Sequence, residues 1–236
     1  MELSDEPLAE CEIGPRLAAG RDNEIFAVGT DRVLRRSPDR QRSFTAEARA
    51  MQHVAAQGFP APQVHRVAPG EMVLERVAGP TMLDDLGRRP WRLGAHGRLL
   101  ADLHHRLHRI PAFGELPEGP VAGGVMLHLD LHPQNVILSP SGPVVIDWTN
   151  AARGAGPADV ALTWLILAAF EADEPGRLRP IIALFRRRFV ETFLAAAGRA
   201  EARAVLVEVA AYRSRDRNIR VSEKVAIERL LRHETR

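Results

Sequence analysis

The periodicity of the chain changes once, at Ala78-Gly79-Pro80, and that change restricts the fold to a small β-rich part followed by a larger helical one. Residues 13–17, 24–28 and 32–35 read as three antiparallel strands around the turns Ala18-Ala19-Gly20-Arg21-Asp22-Asn23 and Gly29-Thr30-Asp31. Ser43 then reads as the N-cap of a helix over 44–57, with Phe44, Ala48, Met51 and Ala55 on one stripe and Gly58 just past its end. Beyond Phe59-Pro60-Ala61-Pro62, residues 63–68 and 71–76 form two more strands around Pro69-Gly70. After the break the pattern predicts helices over 81–86, 93–108, 159–170, 178–197, 201–212 and 221–232. A Pro/Gly-rich stretch at 111–124 interrupts them, as does one hairpin, 136–138 with 144–146, turning at Ser139-Pro140-Ser141-Gly142. The expected architecture is α+β in two parts, 1–77 and 78–236.

Composition narrows the class further. At 45% hydrophobic and 26% charged residues, the 236-residue chain excludes collagen-like, coiled-coil and wholly disordered readings. A single cysteine, Cys11, excludes a disulfide framework within the chain and any cysteine-based zinc finger, and fits a reducing compartment. The first ten residues carry no apolar signal-peptide core, and the longest apolar run, 160–170, falls short of the roughly 20 residues of a membrane span. A cytoplasmic protein without membrane attachment is the expectation. The sequence pI near 9.3 does not imply a nucleic-acid partner. Lys224 is the only lysine among 32 basic residues and the formal net charge is only +2, so almost nothing titrates between neutrality and the arginine range. Residues 1–170 carry net −3 and the remainder net +5, a surplus that a solvated helix face accommodates.

The reactive side chains crowd into His128-Leu129-Asp130-Leu131-His132-Pro133-Gln134-Asn135, with Asp147 at the end of the following hairpin. An Asp, an Asn five residues on and an Asp beyond a hairpin let one element present a base and two oxygen ligands to Mg²⁺ and a triphosphate. Phosphoryl transfer needs those groups: a base for the attacking hydroxyl's proton, and oxygens that hold a metal against the β- and γ-phosphates.

This segment resembles the catalytic and metal-binding loops of the aminoglycoside phosphotransferase and choline-kinase-like family, H-G-D-x-H-x-x-N, with Leu129 and Gln134 at positions where glycine is common. The resemblance implies a protein-kinase-like two-lobe fold: an antiparallel-sheet N-lobe with one helix, and a mainly helical C-lobe. It implies Asp130 as catalytic base, His128 as a brace for the loop, Asn135 and Asp147 as Mg²⁺ ligands, and Asp159, in Gly156-Pro157-Ala158-Asp159, as a buttress. In the N-lobe it implies a phosphate-covering turn with Gly20 and Asn23, an ion pair of Glu47 with Arg35 at the position of the usual lysine, and an adenine-binding hinge at Glu75-Arg76-Val77. The implied function is transfer of the γ-phosphate of ATP to a hydroxyl of a small molecule, amino sugar or other alcohol, with ATP and Mg²⁺ bound.

Other readings stay open from the sequence. Arg35 and the single-glycine turn also suit a nucleotide-binding pseudokinase acting as a regulatory or scaffold module. The His-x-Asp-x-His spacing suits a hydrolytic metal site, although that does not call for Asn135 and Asp147. His104 and His108 have zinc-pair spacing but equally suit a core boundary, and Glu47–Arg35 suits a surface ion pair. Trp91, Trp148 and Trp164 read as core. A protein kinase is excluded, because the twelve positions from Asp147 to Asp159 leave no room for a peptide-docking segment. Glu171, Asp173 and Glu174 suit an acidic rim and Trp164 and Tyr212 aromatic faces, neither of which fixes the acceptor. Oligomeric state is not readable.

Overall fold

A computed structural model describes residues 9, 12–19, 23–169, 179–216 and 219–234. In chain order these form β1 (Arg16–Ala19), β2 (Glu24–Val28), β3 (Arg32–Arg36), α1 (Thr45–Ala56), β4 (Val64–Ala68), β5 (Glu71–Glu75), α2 (Met82–Arg88), α3 (Leu93–Leu107), β6 (Val125–Leu127), β7 (Val136–Ser139), β8 (Gly142–Val145), β9 (Ala152–Gly154), α4 (Gly156–Ala169), α5 (Arg179–Ala197), α6 (Arg199–Ala204), α7 (Leu206–Arg213) and α8 (Val221–Glu234). The chain divides into two compact units, Met1–Gly79 with Ile137–Thr149, and Pro80–Val136 with Asn150–Arg236. The hairpin read from sequence as part of 78–236 thus groups with the first unit.

In the first unit five antiparallel strands lie in the order β1-β2-β3-β5-β4. Strand β1 starts three residues later than its predicted position and includes Ala18 and Ala19. It is an edge strand exposed along its whole length, so no alternation marks its register. Helix α1 packs beside β4 and buries Ala48, Ala50, Met51 and Val54, the spacing that puts one stripe on a sheet. Its N-cap is Phe44, not Ser43; the Ser43 hydroxyl accepts the Thr45 N–H at 3.3 Å from one residue farther out. At its other end Gly58, with φ +76°, donates to Ala55 O at 2.9 Å, and Phe59 N–H donates to Val54 O at 3.0 Å, closing the helix in a Schellman turn.

The hairpin is tied to this unit by named contacts. Val145 N–H donates to Pro60 O at 2.8 Å, and the fully buried Trp148 meets Phe59 edge-on at 5.7 Å. Gly79, at φ +146°, lies so near the hairpin that a Cβ there would fall 2.3 Å from Leu138 O, which only glycine avoids.

The second unit is helical, as the periodicity predicts. Thr81 and Asp84 form a reciprocal capping box at the start of α2. Helix α4 is buried continuously over 158–167 and packs against α5, α6, α7 and α8, which makes it the core element of the unit. Helix α5 runs along α3. The helix expected over 201–212 is interrupted at Val205, giving α6 and α7. Ala202, Leu206 and Val209 are all fully buried on one stripe, so the apolar pattern runs across the interruption without registering it. Strands β6 and β9 were not expected. They pair over three residues each, too short to show a period of two. Trp148 and Trp164 are core, whereas Trp91 is 76% exposed, contrary to the sequence reading.

Candidate active site

Strand β6 runs straight into the reactive loop, and the loop is held from beneath by one carboxylate. Asp159, in the first turn of α4 and fully buried, accepts the N–H of His128 through Oδ2 at 3.0 Å and that of Leu129 through Oδ1 at 2.8 Å. His108 Nε2 lies 3.2 Å from the same Oδ2. Burial alone would push the Asp159 carboxyl upward. The His108 hydrogen bond, the nearby imidazoles and the His128 N–H outweigh it and hold the group below the usual carboxylate range. Leu129 has φ +56°, a left-handed backbone that a leucine adopts only when its surroundings impose it. The buried Leu129 side chain and the Asp159 bond to its N–H supply that restraint.

Beyond this brace the loop presents Asp130, with its side chain 25% exposed. The Asn135 amide Nδ2 donates to Asp130 O at 2.9 Å and to Asp130 Oδ2 at 3.0 Å. Both partners are acceptors only, so the amide orientation is fixed with Nδ2 on Asp130 and its carbonyl oxygen elsewhere. His132 Nδ1 accepts the Gln134 N–H at 3.3 Å, which leaves the proton of a neutral ring on Nε2, 3.4 Å from Asp130 Oδ1. The three predicted residues His128, Asp130 and Asn135 thus come together in this unit, joined by His132 and His108, to which the sequence reading gave no such role.

His104 and His108 do not form a zinc pair. Their rings meet edge-on at 5.7 Å, and His104 Nδ1 donates to Leu100 O at 2.9 Å while Nε2 faces the Thr163 hydroxyl at 3.1 Å. Thr163 in turn reaches Leu131 O at 2.8 Å, so the imidazole supports the loop. Among the described residues no group of three or more His, Cys, Asp or Glu side chains is arranged to hold a metal. Burial pulls the His104 pKa from 6.5 down to about 4. A histidine depressed in this way contributes stability that is complete above its unfolded pKa and declines as pH falls toward the folded value. Urea unfolding between pH 6.5 and 4 is therefore expected to show a loss of about 3 kcal/mol from this group, and His104→Gln is expected to flatten that slope.

The first unit carries a second cluster. Arg35 of β3 donates through Nη1 to Glu47 Oε1 on α1, and through Nη2 to Thr149 Oγ1 at 2.9 Å and Asp147 Oδ1 at 3.2 Å. The Glu47 and Arg35 side chains are only 6% and 10% exposed, so this is a buried pair and not the surface pair also entertained from sequence. Burial raises the Glu47 carboxyl, and the Arg35 charge opposes the rise. Asp147 has φ +64°, the second non-glycine left-handed residue among those described. The cluster thus holds the Arg35–Glu47 pair expected from sequence and joins to it Asp147, expected separately as a metal ligand, and Thr149, which has no signal in the sequence beyond its place two residues after Asp147.

The hinge residues end β5. The N–H of Glu75 donates to Gln63 O and that of Arg76 to Asp31 O, both at 2.8 Å, while Val77 is half-buried just beyond. Asn23 immediately precedes β2. Gly20, like Arg21, Asp22, Cys11 and the acidic trio Glu171, Asp173 and Glu174, lies outside the described residues.

The fold is that of the kinase-like phosphotransferases. The structure matches a thermostable mutant of aminoglycoside phosphotransferase APH(4)-Ia, solved as a ternary complex with ADP and hygromycin B, with TM-score 0.62 and 16% identity over 95% of this chain and 93% of that one. It matches an ethanolamine kinase of Plasmodium vivax with TM-score 0.62 and 10% identity over 95% and 85%. Amicoumacin kinase hAmiN, in complex with AMP-PNP and Ca²⁺, matches with TM-score 0.52 and 13% identity over 96% and 88%. No curated protein matches the sequence significantly. The model of the phosphotransferase enzyme family matches residues 14–124 and 112–206, and the chain belongs to that family. Among the described residues no helix is long and apolar enough to cross a membrane.

Proposed function

We propose that the chain transfers the γ-phosphate of ATP to a hydroxyl of a small molecule, with Mg²⁺ bound. The observation that carries this reading is the fixed Asp130 carboxylate: one oxygen takes the Asn135 amide, the other faces His132, and the group stays partly open to solvent. A base held in this way accepts the acceptor's hydroxyl proton without losing its own orientation. The donor atoms fit Mg²⁺, which takes oxygen ligands and relies on one or two protein groups beside phosphates and water. Asn135 offers its amide carbonyl oxygen and Asp147 a carboxylate, and neither a thiolate nor an imidazole enters the set. When bound, the ion neutralises charge on the phosphate oxygens.

The remaining roles belong to the chain's own groups. His128 and Leu129 set the height of the loop through Asp159. Arg35, anchored by Glu47, holds Asp147 in place, and backbone groups of Glu75-Arg76-Val77, at and just past the end of β5, take the adenine-binding role. Asn23, immediately before β2, takes the role of covering the phosphates. The complexes of the structural neighbours with ADP and AMP-PNP support a nucleotide donor, and hygromycin B and ethanolamine as ligand and named substrate of two of them support a small hydroxylated acceptor. The test is a panel of amino sugars, aminoglycosides and small amino alcohols incubated with ATP and Mg²⁺, with phosphorylated product followed by mass spectrometry. One acceptor phosphorylated by the wild type and not by Asp130→Asn supports the reading. ATP binding with no acceptor phosphorylated favours a regulatory pseudokinase instead.

A further inference from the structure

We infer that Thr149 and the second nitrogen of Arg35 form a positioning pair for Asp147, so that Arg35 is adapted to this chain and does not act as a degenerate lysine. The inference rests on the proposed nucleotide and metal site and assigns a new residue within it.

The argument begins with geometry. The guanidinium is split between two tasks, Nη1 on Glu47 and Nη2 on both Thr149 and Asp147. A lysine ammonium is a single point on a flexible stem. Placed on Glu47, it has no second rigid arm to extend to Asp147, whereas the planar fork serves both at once. Thr149 completes the arrangement. Its hydroxyl accepts from Arg35 at 2.9 Å and lies 2.8 Å from Asp147 Oδ1 and 3.3 Å from Glu47 Oε2. One hydroxyl carries one proton, and the shorter separation assigns it to Asp147. Oδ1 therefore receives both the Thr149 O–H and an Arg35 N–H, which fixes the rotation of the carboxylate. That fixation matters because Asp147 sits on a left-handed backbone with its side chain 44% exposed, where an untethered carboxylate would sample several rotamers. The hydroxyl adds no charge to a cluster that already holds two carboxylates against one guanidinium.

The test is calorimetric titration of ADP and of a non-hydrolysable ATP analogue, with and without Mg²⁺, into the wild type, Thr149→Val, Thr149→Ser and Arg35→Lys. Thr149→Val is expected to weaken Mg²⁺-dependent nucleotide binding about five- to tenfold while leaving metal-free affinity unchanged, and Thr149→Ser to restore it. Arg35→Lys is expected to lower the same quantity, with Thr149→Val adding little in the double variant, because both act on one oxygen. Thr149→Val titrating like the wild type overturns the inference, as does an equal loss with and without metal that serine does not repair. A wild type showing no Mg²⁺-dependent nucleotide binding overturns the proposed function and this inference with it. Wild-type binding with an indifferent Thr149 overturns this inference alone.

Discussion

Replacing Asp130 by Asn is expected to reduce phosphotransfer by about 10²- to 10⁴-fold in kcat, with nucleotide affinity nearly unchanged, as measured by steady-state kinetics beside nucleotide titration. The magnitude is that of removing a positioned general base, about 3–5 kcal/mol of barrier. The substitution is close to isosteric, and its local cost follows from the hydrogen bonds. The new carbonyl oxygen takes the place of Oδ2 and still accepts from Asn135 at 3.0 Å. The new amide then meets the His132 Nε2–H donor to donor, but at 3.4 Å and with the side chain 25% exposed, where water can take both donors, so the loss of folding stability is small. A variant that folds normally, binds nucleotide and fails to transfer isolates the base from the scaffold. Unimpaired transfer would remove Asp130 from the mechanism.

Asp159→Ala is expected to have the largest effect on stability, a loss of about 3–5 kcal/mol by urea denaturation. Three donors converge on that fully buried carboxylate: the N–H of His128, the N–H of Leu129 and the His108 imidazole. Alanine leaves all three without an acceptor in a site closed to water, and stranded buried donors cost more than the bonds themselves contribute. Asparagine does not rescue, since its NH₂ meets an N–H on one side. The carboxyl is depressed in the folded protein, so its contribution is complete above the unfolded carboxylate range and is lost as pH falls toward the folded value. The gap between wild type and Asp159→Ala is therefore expected to narrow in acid. The change also releases Leu129 from its left-handed backbone, and the loop that carries Asp130 moves with it, so phosphotransfer is expected to fall further than stability alone dictates.

What could be read from the sequence follows the distance over which each contact acts. Residues 128–135 announce themselves because Asp130, His132 and Asn135 bond one another within five positions. The two-part pattern is likewise visible, since period and turn chemistry are local. Thr149 is different: its partners Glu47 and Arg35 lie 102 and 114 positions away, and a lone hydroxyl after Ile146-Asp147-Trp148 carries no periodic signal. The Arg35–Glu47 pair was visible as a pair but not as a buried one, because burial depends on the sheet and α1 closing over it. Leu129 illustrates a subtler limit. Its departure from the usual glycine was plain in the sequence, but the left-handed φ and the restraint from Asp159, 30 residues on, appear only in the fold.

The most direct test of a metal-dependent nucleotide site is thermal unfolding of the wild type and Asp147→Ala with ATP alone, Mg²⁺ alone and both. Ligand at about 100 times its dissociation constant adds roughly 2.7 kcal/mol to the folded state, a shift of several degrees. The expected result is stabilisation of the wild type that requires ATP and Mg²⁺ together and is absent from Asp147→Ala. No stabilisation by nucleotide, or stabilisation indifferent to both Mg²⁺ and Asp147, would contradict it.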